Sequence, residues 1–103
     1  MPIDLTIPRE YKRRAEAVLP GRVARVILYG SRARGDAHDE SDWDIAVFLK
    51  GHVGADERDA LSDVGASVLL DTGAVIQTAA FPEDRLSDPG AFLESIRSQG
   101  IPL

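Results

Sequence analysis

The sequence predicts an α/β (α+β) domain in which a small mixed β-sheet of about three to four strands is flanked by helices. Patterns of apolar residues with helical spacing alternate along the chain with strand-like patterns. One apolar run is almost continuous, and another alternates with polar residues. The 103 residues, taken as 1–103, fit one domain with a thin core, and we find no internal repeat or long linker.

The first two predicted elements are a helix and a buried strand. Apolar residues recur at helical spacing from Tyr11 to Leu19, and Pro8 suits the first turn of a helix. Pro20-Gly21 ends this helix. The run from Val23 to Tyr29 is nearly all apolar, which is typical of a strand covered on both faces.

A short helix and a second strand follow. Residues 31–34 could form the helix, which ends near Gly35. From Asp42 to Leu49 the alternation predicts a strand with Trp43 packed in the core and both aspartates on the opposite face. The remaining predicted elements are a helix around 61–68, a strand over 74–81, a loop over 82–90 and a last helix around 92–96.

The composition excludes several kinds of site and partner. The chain has no cysteine, which excludes disulfides and thiolate metal sites and suits the cytoplasmic location that we expect. We expect no direct nucleic-acid binding, because the net charge is −5 and phosphate contacts need a basic surface. We also expect no membrane association, since no apolar run approaches the length of a transmembrane helix.

A Gly-Ser turn comes directly after the buried strand. Gly30 lets another group approach the backbone closely, and the hydroxyl of Ser31 can donate a hydrogen bond to a phosphate oxygen. Backbone N–H groups at the start of a helix also bind phosphate. Arg32 and Arg34 stand nearby as charge partners. These four residues are therefore candidate nucleotide-binding residues.

A pair of aspartates begins the second strand. One residue separates Asp42 from Asp44, so their side chains should project from one face, about 6–7 Å apart. Like charges at this spacing repel, and a divalent cation relieves the repulsion. Mg²⁺ prefers such oxygen ligands and completes its shell with substrate phosphates. The pair is thus a candidate metal site and catalytic site.

Either feature alone is ordinary, because most Gly-Ser turns are only turns and most Asp-X-Asp segments are solvated. Their combination after a buried strand is more specific and favours metal-assisted phosphoryl or nucleotidyl transfer. It resembles the signature of the minimal nucleotidyltransferases of the DNA polymerase beta superfamily, which is Gly-Ser, about ten residues and Asp-X-Asp. Here the signature reads Gly30-Ser31, ten residues and Asp42-Trp43-Asp44, and the resemblance covers roughly 22–81 and the tail 92–103.

The resemblance implies a nucleotidyltransferase fold with ATP as substrate and Mg²⁺ as cofactor. It implies that Gly30 and Ser31 contact the triphosphate and that Asp42 and Asp44 bind the metal. Proteins that this chain resembles often act as antitoxins paired with an HEPN-type toxin, which they neutralise by binding or by adenylylating a tyrosine. An HEPN-type toxin is therefore the expected protein partner.

One position departs from the family's pattern. The family usually places a third carboxylate on the next strand, where it acts as general base, but residues 74–81 contain no acid. Gln77 is the best match, and an amide cannot accept a proton usefully at neutral pH. Asp71 could substitute only if the strand began much earlier, and a turn residue at the end of a helix is the better interpretation.

Three functions remain open. The first is an enzyme that transfers AMP from ATP to a hydroxyl of a partner protein. The second is a binding module that keeps the fold and neutralises or senses a partner without chemistry, which the missing third acid favours. The third is an independent transferase acting on a small molecule such as an aminoglycoside, which the short chain disfavours because little remains to build a second pocket.

Overall fold

The computed structural model describes residues 3–38 and 41–103, and their helices and strands follow the predicted order. The helices are α1 (Thr6–Val18), α2 (Gly30–Arg34), α3 (Ala55–Thr72) and α4 (Ala91–Gln99), with a 3₁₀ helix over Glu83–Ser87. The strands are β1 (Val23–Tyr29), β2 (Trp43–Leu49), β3 (Ile76–Pro82) and β4 (Ile101–Pro102).

The structure corrects the beginnings of two strands and adds two short elements that the sequence did not predict. Strand β1 has the predicted limits, whereas β2 begins one residue later than predicted, because Asp42 lies outside the ladder. Strand β3 begins at Ile76 instead of residue 74. Residues 83–87 form a 3₁₀ helix where a loop was predicted. Strand β4 has only two residues, one of them proline, which is too short to give a sequence pattern.

The sheet is mixed and has the strand order β3-β2-β1-β4. Strands β2 and β3 are parallel and joined by α3, whereas β1 runs antiparallel to both of its neighbours, β2 and β4. The predicted class, a small mixed sheet flanked by helices, is therefore confirmed.

The two faces of the sheet pack against different helices. The face that carries Leu28, Ile45 and Val47 packs against α1 and α3 in the larger core cluster, and we call it the closed face. The face that carries Ile27 and Phe48 packs against α4 in a smaller cluster, and we call it the open face. Successive strand residues alternate between these faces, so the predicted separation of Trp43 from Asp44 is confirmed.

Polar contacts fix α1 on the closed face. The buried hydroxyl of Tyr11 lies 2.8 Å from the hydroxyl of Thr78 on β3. Arg14 donates to the Ser67 hydroxyl at 3.0 Å and to the Asp71 carboxylate at 2.7 Å, which ties α1 to α3. In the part of the chain that the structure describes, no helix is long and apolar enough to cross a membrane.

Candidate functional site

The predicted site lies where β1 ends and where β2 and β3 begin. Asp44 is the second residue of β2, and Asp42 immediately precedes this strand. The antiparallel register pairs Asp44 with Tyr29, and the parallel register pairs it with Gln77. Since directly paired residues share a face, the side chains of these three residues lie together on the open face.

Gly30 brings the Gly-Ser turn against this carboxylate. Its φ angle is +74°, a left-handed conformation that favours glycine. A Cβ atom at this position would collide with Oδ2 of Asp44. Glycine is therefore required here both for its backbone conformation and for its small size, and the phosphate contact predicted for Gly30 stays a prediction.

Ser31 follows on α2 and is half-buried beside this contact. Its carbonyl accepts from the N–H groups of Gly35 and Asp36 at 3.0 and 3.1 Å, which closes the short helix. These two contacts involve only the backbone of Ser31, so the hydroxyl's predicted role as a phosphate contact stays a prediction.

The surroundings of Asp44 raise its pKa above the ordinary value for an aspartate. Burial is the largest cause, and the negative charge of Asp42 adds to it, while the positive charge of Arg34 opposes it. The protein thus holds two carboxylates close enough to disfavour ionisation of one of them. A bound divalent cation would relieve this penalty.

Gln77 is the residue that the sequence resemblance matches to the family's third carboxylate, and this match stays a prediction. Its amide nitrogen donates to Oδ2 of Asp42 at 3.3 Å, and its side chain is exposed. The predicted alternative, Asp71, lies instead in the last turn of α3, where it pairs with Arg14. Asp71 therefore contributes to the contact between α1 and α3, and Gln77 is the residue that lies beside Asp42.

The two arginines of α2 have different surroundings. Arg34 is exposed, lies 3.3 Å from Asp36, and is close enough to influence Asp44. Arg32 directs its guanidinium toward backbone carbonyls of the segment before β2 and toward the Trp43 ring. These contacts give Arg32 a structural role. The phosphate contact predicted for Arg32 stays a prediction.

The donor chemistry of the site fits Mg²⁺ delivered together with a nucleotide. Asp42 and Asp44 offer hard oxygen ligands, whereas no group of three or more His, Cys, Asp or Glu suited to a metal occurs among residues 3–38 and 41–103. Two carboxylates are too few to enclose the ion. Mg²⁺ commonly completes such a site with phosphate oxygens and water.

An aromatic cluster beside Asp44 was not predicted as part of the site. The Tyr29 ring meets Phe92 of α4 edge-on with centroids 5.5 Å apart, and Phe92 in turn lies 6.0 Å from Phe81. Phe92 is 47% exposed. Burial and the charge of Asp44 raise the pKa of Tyr29, which keeps its hydroxyl protonated. The pairing of Tyr29 with Asp44 follows from strand register, but the position of Phe92 depends on how α4 packs.

Comparison with protein families and curated proteins gives concordant results. The family model described as nucleotidyltransferase domain matches residues 8–96. A relative from Methanocaldococcus jannaschii is 25% identical over 97 residues, which cover 94% of this chain and 95% of the relative. Another from the same organism is 34% identical over 76 residues, which cover 74% and 71%. Both relatives carry the provisional description of protein adenylyltransferase.

Two solved structures share the fold. A toxin–antitoxin crystallised with AMP-PNP has a TM-score of 0.62 and 17% identity, covering 89% of this chain and 68% of that chain. The toxin–antitoxin MntA-HpeT, in a form with two aspartate-to-glutamate substitutions, has a TM-score of 0.66 and 14% identity, covering 95% and 72%. At these identities the likeness concerns the fold.

Proposed function

Because this chain belongs to the nucleotidyltransferase domain family, we propose that it transfers AMP from ATP to a hydroxyl group of a partner protein. The observation that carries this proposal is the contact between the Gly-Ser turn and the aspartate pair, with Gly30 packed against Asp44. The description of both archaeal relatives as protein adenylyltransferases supports AMP as the transferred group and a protein as the acceptor.

In this proposal each residue of the site has one task. Asp42 and Asp44 hold Mg²⁺, which when bound neutralises triphosphate charge and polarises the reacting phosphoryl group. The Ser31 hydroxyl donates to a phosphate oxygen. Arg34, which is exposed near Asp44, offers positive charge to the pyrophosphate leaving group.

The transfer exchanges one phosphorus–oxygen bond for another. The acceptor hydroxyl oxygen attacks the α-phosphorus, the bond from this phosphorus to the bridging α–β oxygen breaks, and pyrophosphate departs. In this proposal the hydroxyl proton passes to solvent, because Gln77, the residue matched to the family's general base, carries an amide that cannot accept it. Loss of a positioned base typically lowers the rate by about 10² to 10⁴ without abolishing the reaction. We therefore expect slow transfer.

We propose an HEPN-type toxin as the protein partner, with this chain as its antitoxin. The sequence resemblance suggests this partner. The two solved structures compared above are toxin–antitoxins, and one contains the ATP analogue AMP-PNP. In the other, two aspartates are replaced by glutamate.

A second candidate is a binding module that neutralises or senses its partner without chemistry. The hydrogen bond from the Gln77 amide to Asp42 favours it, because this bond engages a metal ligand with a neutral group in place of a general base. Such a module should bind its partner equally well after Asp42→Asn and Asp44→Asn.

The deciding experiment combines binding and transfer. We expect calorimetry to show ATP binding that Mg²⁺ strengthens, and α-phosphate-labelled ATP to label a co-purified HEPN-type toxin. Asp42→Asn and Asp44→Asn should remove both the metal-dependent binding and the label. Thermal unfolding serves as the folding control, since both substitutions relieve charge repulsion and should leave stability intact.

Gln77→Glu is the complementary variant, because it should increase transfer where the aspartate variants abolish it. Restoring an acid beside Asp42 should raise labelling by about 10²-fold if the missing base limits transfer. Equal labelling by wild type and Asp42→Asn would contradict the metal role. Partner binding without any label, in wild type and Gln77→Glu alike, would support the binding module.

A further inference from the structure

Asp42 lies in a segment that the sheet does not hold directly. It precedes β2, whose first residue, Trp43, anchors the strand by donating its N–H to the carbonyl of Val75 at 2.9 Å. On the other side, Ser41 donates its N–H to the carbonyl of His38 at 2.9 Å, and the backbone N–H of His38 donates to the Ser41 hydroxyl at 3.0 Å. Asp42 therefore lies between Ser41, which is hydrogen-bonded to His38, and the beginning of β2.

The side chain of Arg32 contacts both sequence neighbours of Asp42. Nε and Nη2 of Arg32 donate to the carbonyl of Ser41 at 3.0 and 2.8 Å, and Nη2 also reaches the carbonyl of His38 at 3.4 Å. The same guanidinium lies over the ring of Trp43, with its central carbon 4.0 Å from the ring centroid. Arg32 thus contacts the residue before Asp42 and the residue after it.

The stacking also places Arg32 on the side of the strand away from the site. Trp43 faces the closed face, whereas Asp44 faces the open face with Gln77. A guanidinium on the Trp43 ring is therefore directed away from the carboxylate face on which phosphate would bind. This arrangement differs from that of Arg34, whose charge acts on Asp44 itself.

We propose that Arg32 is a positioning residue that fixes Asp42 for metal binding by holding Ser41 and Trp43 together. Arg32 directs two donors of one guanidinium to the same carbonyl oxygen and lays the flat face of this group on an aromatic ring, which lysine cannot reproduce. Residues that orient metal ligands typically change metal affinity by about 10- to 100-fold when replaced. The inference rests on the proposed function, in which Asp42 binds Mg²⁺.

The test compares Arg32→Gln and Arg32→Lys with the same two substitutions at Arg34. ATP affinity is measured by calorimetry with and without Mg²⁺, and fluorescence of Trp43, the one tryptophan of the chain, reports the stacking contact. We expect both Arg32 variants to lose about 10- to 100-fold of the Mg²⁺-dependent gain in ATP affinity and to change Trp43 emission. Because the guanidinium lies on the Trp43 ring, their ATP affinity without metal should change much less than this Mg²⁺-dependent gain.

The Arg34 variants supply the contrast. A side chain that acts on phosphate as a point charge is replaceable by lysine but not by glutamine, so Arg34→Lys should stay near wild type while Arg34→Gln weakens metal-free binding. Neither should alter Trp43 emission. Thermal midpoints of all four variants separate these effects from loss of folding, and Arg32→Lys keeps the charge if Arg32→Gln is unstable.

Two results would overturn the positioning role. One is a fall in metal-free ATP affinity in Arg32→Gln that Arg32→Lys restores, which would make Arg32 a direct phosphate contact. The other is an unchanged Mg²⁺-dependent gain in both Arg32 variants. If wild type itself shows no Mg²⁺-dependent ATP binding, the proposed nucleotide site fails, and the positioning role of Arg32 fails with it.

Discussion

Helices α1 and α3 bury the closed face, where Leu28, Ile45 and Val47 are fully buried. The open face packs against α4 and the 3₁₀ helix, and on it Asp44 is half-buried and Gln77 is exposed. Both faces belong to the same strands, so one set of backbone hydrogen bonds serves a closed core and a polar site. Because successive residues of β2 point to opposite faces, one residue can contribute to the core while the next belongs to the candidate site.

The largest expected effect lies on the closed face. Ile45→Ala removes a fully buried side chain next to Asp44 in sequence but on the opposite face. We expect the free energy of unfolding to fall by about 2–5 kcal/mol, with ATP affinity unchanged in the folded protein. Urea unfolding and calorimetry at low temperature measure the two quantities. Loss of ATP binding in a folded variant would show that the faces are coupled.

An intermediate effect is expected at the turn where β1 meets the site. Gly30→Ala introduces a side chain at positive φ and against Asp44, so stability should fall by about 2 kcal/mol and metal-dependent ATP binding should be lost. Gly35→Ala is the matched control, because its φ is +83° but nothing lies within 4 Å of the added Cβ. It should lose about 1 kcal/mol and retain ATP binding. Equal ATP affinity in the two variants would argue against the Asp44 contact.

The smallest effect concerns one hydroxyl on the closed face. Tyr11→Phe removes the hydrogen bond to Thr78 and should lower stability by about 1 kcal/mol at pH 7. Burial raises the pKa of Tyr11 to about 12, above its unfolded value of about 10. Ionisation therefore favours the unfolded chain, and wild type should lose stability between about pH 10 and 12. Chemical denaturation should show a shallower alkaline slope for Tyr11→Phe, and parallel slopes would contradict it.

Much of the architecture could be predicted because it depends on local patterns. The apolar run of β1 and the alternation of β2 specify which side chains enter the core, and the spacing of Asp42 and Asp44 places both carboxylates at the start of one strand. The same register brings Gln77 beside Asp44. The class of sheet is confirmed, while the roles of these residues in binding and catalysis stay predictions.

Other features depend on contacts between distant segments, which no local pattern encodes. The hydrogen bond of Arg32 to Ser41 and its stacking on Trp43 both depend on how α2 packs against β2. The position of Phe92 beside Tyr29 likewise depends on how α4 crosses the open face. The sequence shows that Arg32 follows a Gly-Ser turn but not the direction of its side chain, and the phosphate contact predicted for Arg32 stays a prediction.

The pairing of β4 with β1 affects the order in which the protein folds. Ile27 pairs with Pro102, and Leu103 donates its N–H to the carbonyl of Val26, so this edge joins segments far apart in sequence. Such contacts form late, since closing a long loop costs entropy before the contacts repay it. The aspartate pair, in contrast, belongs to a continuous stretch from β1 to β3. We expect pulse-labelling hydrogen exchange to protect the Trp43 amide before that of Leu103, so that the framework of the site forms before the sheet is complete.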